Sequence, residues 1–356
     1  MDHETPASRH PTLYFSDGDV VLSAADETPS QVLFRVDKLF LSRHSEIFRN
    51  LFGDAIDSGQ ETYDGVPLVP MIGDKAKDLA LLIEVIYDPS ALYNLLDNTP
   101  PADLPLRVGG LADIAQKYIV GKIKESIVAK IESQWPTTLE AWDAQRASML
   151  HAQEQNDMVW FDQFGAAFPE PVSAIIFAQK HDVPSVLPAA FYRLSFTRFG
   201  HHYGAEERFP EDRYGAENLP TARWKLLDAD TLRRFLAAKE YLLQNFQETL
   251  DGQRMLDKMM VVPRPLGRCY REVGSGESSC VWNKDDIQAR IAKLVATNLS
   301  FVDIDALGFL KKLQALIEEQ TFCRSCKMFL VDDIEASRRK LWTLMSGWFT
   351  APPEED

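Results

Sequence analysis

The sequence predicts an α+β N-terminal region, a small sheet capped by helices, followed by a mainly α-helical region. Three patterns carry that expectation. Gln31-Val32-Leu33-Phe34-Arg35-Val36 alternates with the two-residue period of a strand, placing Val32, Phe34 and Val36 on one face. Leu79, Leu82, Ile83 and Ile86 recur at i, i+3, i+4 and i+7, the stripe of an amphipathic helix. Beyond Pro136 helical spacing dominates, in segments such as Ser173 to Lys180, Ser185 to Leu194 and Ile334 to Phe349.

Taken in order, residues 1–12 are polar and read as a disordered lead. Phe15 to Asp19 form a turn feeding the short strand Val20-Val21-Leu22-Ser23, and a polar connection leads to the strand at 31–36. From Lys38 helical spacing takes over, and Ser42 or Ser45 can split the stretch into two short helices by capping the second. Val66-Pro67-Leu68-Val69-Pro70-Met71 is a third strand whose prolines suit a sheet edge. Asp74 is placed to cap the next helix, which stops at Tyr87-Asp88-Pro89. Residues 89–107 carry four prolines and read as a loop. Helices follow at Gly109 to Tyr118 and Lys122 to Trp135. In the second half, Asp228 or Asp230 can cap a helix carrying Leu232, Phe235, Leu242 and Phe246, and Leu307, Leu310, Leu313 and Ile317 share one face. The tail at 351–356 is acidic and solvated.

Composition narrows the classes of function. The chain has 356 residues with 45% hydrophobic and 26% charged content, enough for two or three domains with sizeable cores. A formal net charge of −15 argues against direct nucleic-acid binding, which needs a basic surface to meet phosphate. No stretch approaches the length of about 18 apolar residues that a membrane span requires. Met1 to Pro6 lacks the basic-then-apolar pattern of a secretory signal, and four cysteines are too few for a disulfide scaffold. These features lead us to expect a cytoplasmic or nuclear protein.

Several separated segments resemble the BTB/POZ domain. They are Gly18-Asp19-Val20-Val21-Leu22, the run Phe34 to Phe48, Val66-Pro67-Leu68-Val69, Ile86-Tyr87-Asp88-Pro89 and Leu111 to Tyr118, in family order. The likeness is greatest to fungal BTB-domain proteins, whose helical region resembles His181-Asp182-Val183-Pro184 through Tyr192 here. The resemblance implies a BTB/POZ domain over 13–135 and a helical region over 136–350. It further implies protein partners, with homodimerisation and a cullin-type ubiquitin-ligase scaffold as the partners to test. Asp37 departs from the pattern, standing where the family usually has a histidine. The helical face that such a domain leaves uncovered would include Phe15 and Leu39, whereas Phe40 and Phe48 are expected in the core. The leading expectation is an interaction scaffold, such as a ubiquitin-ligase adaptor. The rivals are a transcription-associated recruitment protein without direct DNA contact, and an enzyme with the Cys-rich C-terminal region as its foothold.

Chemistry concentrates in four cysteines. Cys269 and Cys280 flank a Gly/Ser loop, and Cys323-Arg324-Ser325-Cys326 is a CxxC pair. Structural zinc takes four soft ligands in a tetrahedron, and a CxxC knuckle supplies two from one turn. The spacing equally fits reduced thiols buried as small hydrophobes beside Trp282 and Phe322. A redox pair would want a thioredoxin-like βαβ setting, which the sequence does not suggest. The remaining candidates are plainer: His201-His202 reads as a surface loop, His44 and His181 as structural, His151 as isolated, and the tryptophans as packing residues. No GxSxG, Walker, HExxH or GxGxxG pattern occurs. If the four cysteines hold zinc, protein purified without chelator carries one equivalent of metal by elemental analysis. Four thiols titrating freely in native protein, with no metal, would refute the zinc reading.

Overall fold

The computed structural model describes residues 7–26, 30–54, 61–155, 168–197, 222–250, 305–319 and 324–350. They belong to two compact units, Met1–Gln134 and Trp135–Asp356.

The first unit is built on a five-stranded sheet of order β1-β3-β2-β5-β4. Its strands are β1 (Ala7–Tyr14), β2 (Val20–Ala25), β3 (Gln31–Val36), β4 (Thr62–Tyr63) and β5 (Val66–Lys75). Strand β2 pairs antiparallel with β3, Leu22 opposite Phe34, and parallel with β5, Leu22 opposite Val69. Val20 through Ala24 are all buried, so β2 is covered on both faces, as central strands of helix-covered sheets are. Gly18 allows the approach to β3: a Cβ there would lie 2.8 Å from the Val36 nitrogen. Asp64 and Gly65, at φ +52° and +77°, make the two-residue hairpin turn joining β4 to β5.

The sheet curls until its edges communicate. Asp64, beside edge strand β4, accepts hydrogen bonds from Arg9 Nη2 and the Tyr14 hydroxyl of edge strand β1, each at 2.6 Å. Arg9 also lies over the Tyr14 ring at 4.7 Å. Residues 7–12 are therefore not a disordered lead. They pair parallel with β3, Ala7 opposite Gln31 through Arg9 opposite Leu33. The edge placement of β5 is also corrected, because it lies between β2 and β4. Its prolines persist because β4 pairs only Val66 and Pro67, leaving the rest of that side without a strand among the described residues.

Helices α1 (Lys38–His44), α2 (Glu46–Asp54), α3 (Ala76–Tyr87), α4 (Ser90–Asn98), α5 (Leu104–Lys117) and α6 (Gly121–Ser133) complete this unit. Ser45 divides α1 from α2: its Oγ accepts from Phe48 N–H at 3.1 Å and donates to the Tyr118 carbonyl at 2.6 Å. Leu79, Leu82 and Ile83 of α3 are fully buried, as their spacing predicts. Asp74 is not the cap of α3. It is buried and accepts from Lys117 Nζ and the Tyr118 hydroxyl, tying the end of β5 to the end of α5. The expected loop at 89–107 contains α4, with Pro89 just ahead of its first turn and Pro100 beyond its end, where proline leaves helical hydrogen bonds intact.

Among the described residues, the helices of the second unit are α7 (Leu139–Gln155), α8 (Pro171–His181), α9 (Leu187–Ser195), a 3-10 turn at Trp224–Leu226, α10 (Ala229–Leu250), α11 (Ala306–Glu318) and α12 (Arg324–Thr350). Asp228 caps α10, accepting from Thr231 N–H at 2.7 Å; that bond, with the Thr231 hydroxyl, outweighs burial and holds its carboxyl below the usual range. Leu307, Leu310, Leu313 and Ile317 form the buried face of α11 as their spacing predicts. Two carboxylates, Glu170 buried and Asp305 partly so, tie helices of this unit to other segments. Glu170 caps α8 through Val172 and Ser173 N–H and also accepts from Arg223 N–H. Asp305 caps α11 through Gly308 N–H and accepts from Tyr192 of α9 and Arg146 of α7. Among the described residues no helix is long and apolar enough to cross a membrane.

Phe48 tests the first core. It is fully buried and its ring stacks on Tyr118 at 4.3 Å and Phe52 at 5.8 Å. Phe48→Ala is expected to destabilise this unit by about 3–5 kcal/mol in urea unfolding. A loss under about 1 kcal/mol would mean that the cavity collapses or that the ring does not close the core.

Candidate functional site

While Ile72, Tyr93, Leu106 and Ile119 are exposed on other elements, one patch of the first unit's uncovered apolar surface lies at α1. This helix has seven residues, and Leu41 is its one buried side chain. Leu39-Phe40-Leu41 places three apolar residues in succession, and no single helix face can hold all three. With Leu41 turned inward, Leu39 is 58% exposed and Phe40 43% exposed. Ile47, at the start of α2, is also exposed.

Tyr87 organises this surface. It is the last residue of α3, and its ring stands between Phe15 at 5.1 Å and Phe40 at 4.8 Å, both stacked. Its hydroxyl accepts from Asp37 N–H at 2.7 Å and donates to Asp37 Oδ2 at 2.9 Å. Burial, reinforced by the Asp37 carboxylate, holds the phenol well above the ordinary tyrosine range, so it stays protonated and keeps donating. The next orphan donor of α1, Lys38 N–H, goes to Asp19 Oδ1 at 2.7 Å. A three-ring column is thus fastened at its base to the first turn of α1. It carries no nucleophile–base pair; what it offers is a preorganised apolar face with a polar anchor.

Of the residues singled out from sequence, Phe15 is half-buried within this column and Leu39 is exposed one residue from Phe40. Phe40 departs from its expected core position, whereas Phe48 occupies it. The sequence marks Tyr87 as part of a helix stop and of a segment resembling the family, but not as a site residue, because its role depends on Phe15 and Asp37 far away in sequence. Cys269, Cys280 and Cys323 lie outside the described residues, and so does the side chain of Cys326, in the first turn of α12. Among the described residues no group of three or more His, Cys, Asp or Glu is placed to hold a metal ion. His181 is buried against Phe177, ring centroids 4.3 Å apart.

Removing the Tyr87 hydroxyl leaves Asp37 N–H and its carboxylate without this partner while keeping the stacked ring. Tyr87→Phe is therefore expected to cost about 1–3 kcal/mol by chemical denaturation. Adding Asp37→Ala should cost less than the two single losses summed, since both remove the same contact. Strict additivity would show that the pair does not hold α1.

The BTB/POZ domain family model matches residues 14–131, so that β1 lies almost wholly ahead of the matched segment. A search among curated proteins finds none that matches the chain. The matched segment contains the curled sheet from β2 onward, helices α1 to α5 and nearly all of α6, in the family's α+β arrangement. Residues 14–131 of this chain are a BTB/POZ domain, a protein-interaction module and not an enzyme family.

Proposed function

We propose that the chain is an assembly scaffold whose BTB/POZ domain pairs with a second copy of itself through the face carrying Phe15, Leu39, Phe40 and Tyr87. The observation that carries this reading is the exposure of Leu39 and Phe40 on a helix held rigidly by the Tyr87–Asp37 contact. Two copies of a chain with formal charge −15 repel, so self-association needs a compact apolar contact. Large aromatics held in one rotamer lose little entropy on docking, which makes such a column suited to the centre of an interface.

On this reading the paired domain serves as an adaptor that brings a cullin-type ubiquitin-ligase scaffold to a client. The family resemblance supports that partner. A second reading is recruitment of transcription-associated proteins without direct DNA contact. The acidic charge supports it, since it disfavours a role on the phosphate backbone while leaving protein contacts open. Affinity purification of the full chain separates the two: a cullin supports the adaptor, and co-repressors alone support recruitment.

Light scattering after size exclusion tests the pairing. At tens of micromolar the chain is expected at twice its 40.3 kDa mass. The double variant Leu39→Asp, Phe40→Asp is expected at the single-chain mass with unchanged circular dichroism. A wild-type monomer at that concentration would overturn the pairing, and a variant that stays dimeric would move the interface elsewhere.

A further inference from the structure

We propose that His10 makes β1 an acid-released strap on the edge of the sheet. His10 lies in the irregular stretch of β1, between Arg9 and Tyr14, where the register to β3 shifts. Its Nδ1 accepts from Leu13 N–H at 3.1 Å, with Thr12 N–H and the Thr12 hydroxyl each at 3.4 Å. Its ring stacks on Phe34 of β3, centroids 5.1 Å apart, and Phe34 is fully buried. The bond to Leu13 requires a lone pair on Nδ1, hence a neutral ring with its proton on Nε2. Leu13 is the one buried residue of β1, so this bond sits where the strand is anchored.

Protonation at Nδ1 sets one donor against another. The Leu13 N–H loses its acceptor, and the strand loses the contact that closes its irregular stretch. Among the described residues Glu84 is the charged group that acts on the ring, and the arginines next to His10 and Phe34 in sequence are engaged elsewhere. Glu84 of α3 favours the protonated form; Arg35 of β3 is engaged with the Gly18 carbonyl; Arg9 of β1 is held by Asp64 of the β4–β5 turn. Burial outweighs Glu84 and holds the imidazole below its ordinary value. The folded state therefore binds this proton less well than the unfolded chain. The stabilisation is present above the unfolded value of about 6.5 and is lost as pH falls through the folded value. Release of β1 bares the Gln31 to Arg35 edge of β3, the edge strand that remains.

Hydrogen exchange read by mass spectrometry on the full chain, corrected for intrinsic rates, tests the strap. Between pH 7.5 and 5.0, protection of peptides covering residues 7–14 is expected to fall about fivefold, the loss of one net hydrogen bond. His10→Gln keeps an acceptor that does not titrate, and its protection should be level across that range. Unchanged wild-type protection, or an equal fall in the variant, would overturn the proposal. Should the variant lose β1 at both pH values, nitrogen chemical shifts of the His10 ring decide. A bare Nδ1 at pH 7.5 that titrates below about 6.5 upholds the strap; a protonated Nδ1, or titration at or above that value, refutes it.

Discussion

Strand β2 has no free side: β3 and β5 pair with its two edges, and both of its faces are covered. Because Val20 through Ala24 all have to be dry, helices must cover one face and the sheet must curl over the other. That curl lets Asp64, beside one edge strand, reach Arg9 and Tyr14 on the opposite edge. A five-stranded sheet is thereby drawn toward closure without strand pairing between β1 and β4. The clasp is made of side chains, so the sheet's edges depend on contacts that can be made and unmade separately from its centre.

The same economy explains why α1 leaves apolar side chains exposed. A seven-residue helix with one buried side chain gains little from packing, and short isolated helices are marginal. What holds it is polar: Asp19 on Lys38 N–H, Tyr87 on Asp37, and Ser45 closing the next turn. Leu39 and Phe40 are thus not required in the core, and their apolar surface stays exposed. Stability and display are assigned to different residues of the same short helix.

In the helical unit, carboxylates do the corresponding work. Asp143 accepts from Arg338, itself buried, at 2.6 Å, and Lys311 lies 3.2 Å away. Asp305 and Glu170 each cap a helix while reaching a second chain segment. A buried charge left without partners is costly, so such groups select one arrangement of helices over others of similar hydrophobic burial. Trp142, Tyr192 and Phe196 then pack edge-on beside the Asp305 site.

Several features whose neighbours lie within a few positions could be read from the sequence alone, though the local reading failed for the Asp74 cap and for the loop at 89–107. The strands at 20–23 and 31–36, the α3 and α11 stripes and a cap at Asp228 or Asp230 follow from periodicity and short-range hydrogen bonding, which act locally; the structure chose Asp228. The segments resembling a BTB/POZ domain were legible for the same reason. Tertiary structure decided what depended on distant partners. Residues 7–12 are polar and without period, and become a strand only because β3 and Asp64 meet them. Strand β4 has two residues, too few to show a period, and no sequence expectation attaches to Asp64-Gly65. Phe40 is as hydrophobic as Phe48, and hydropathy ranks them alike. Which of them is buried depends on α1 having room for a single inward side chain and on Tyr87 arriving from 47 positions away to support the one left outside.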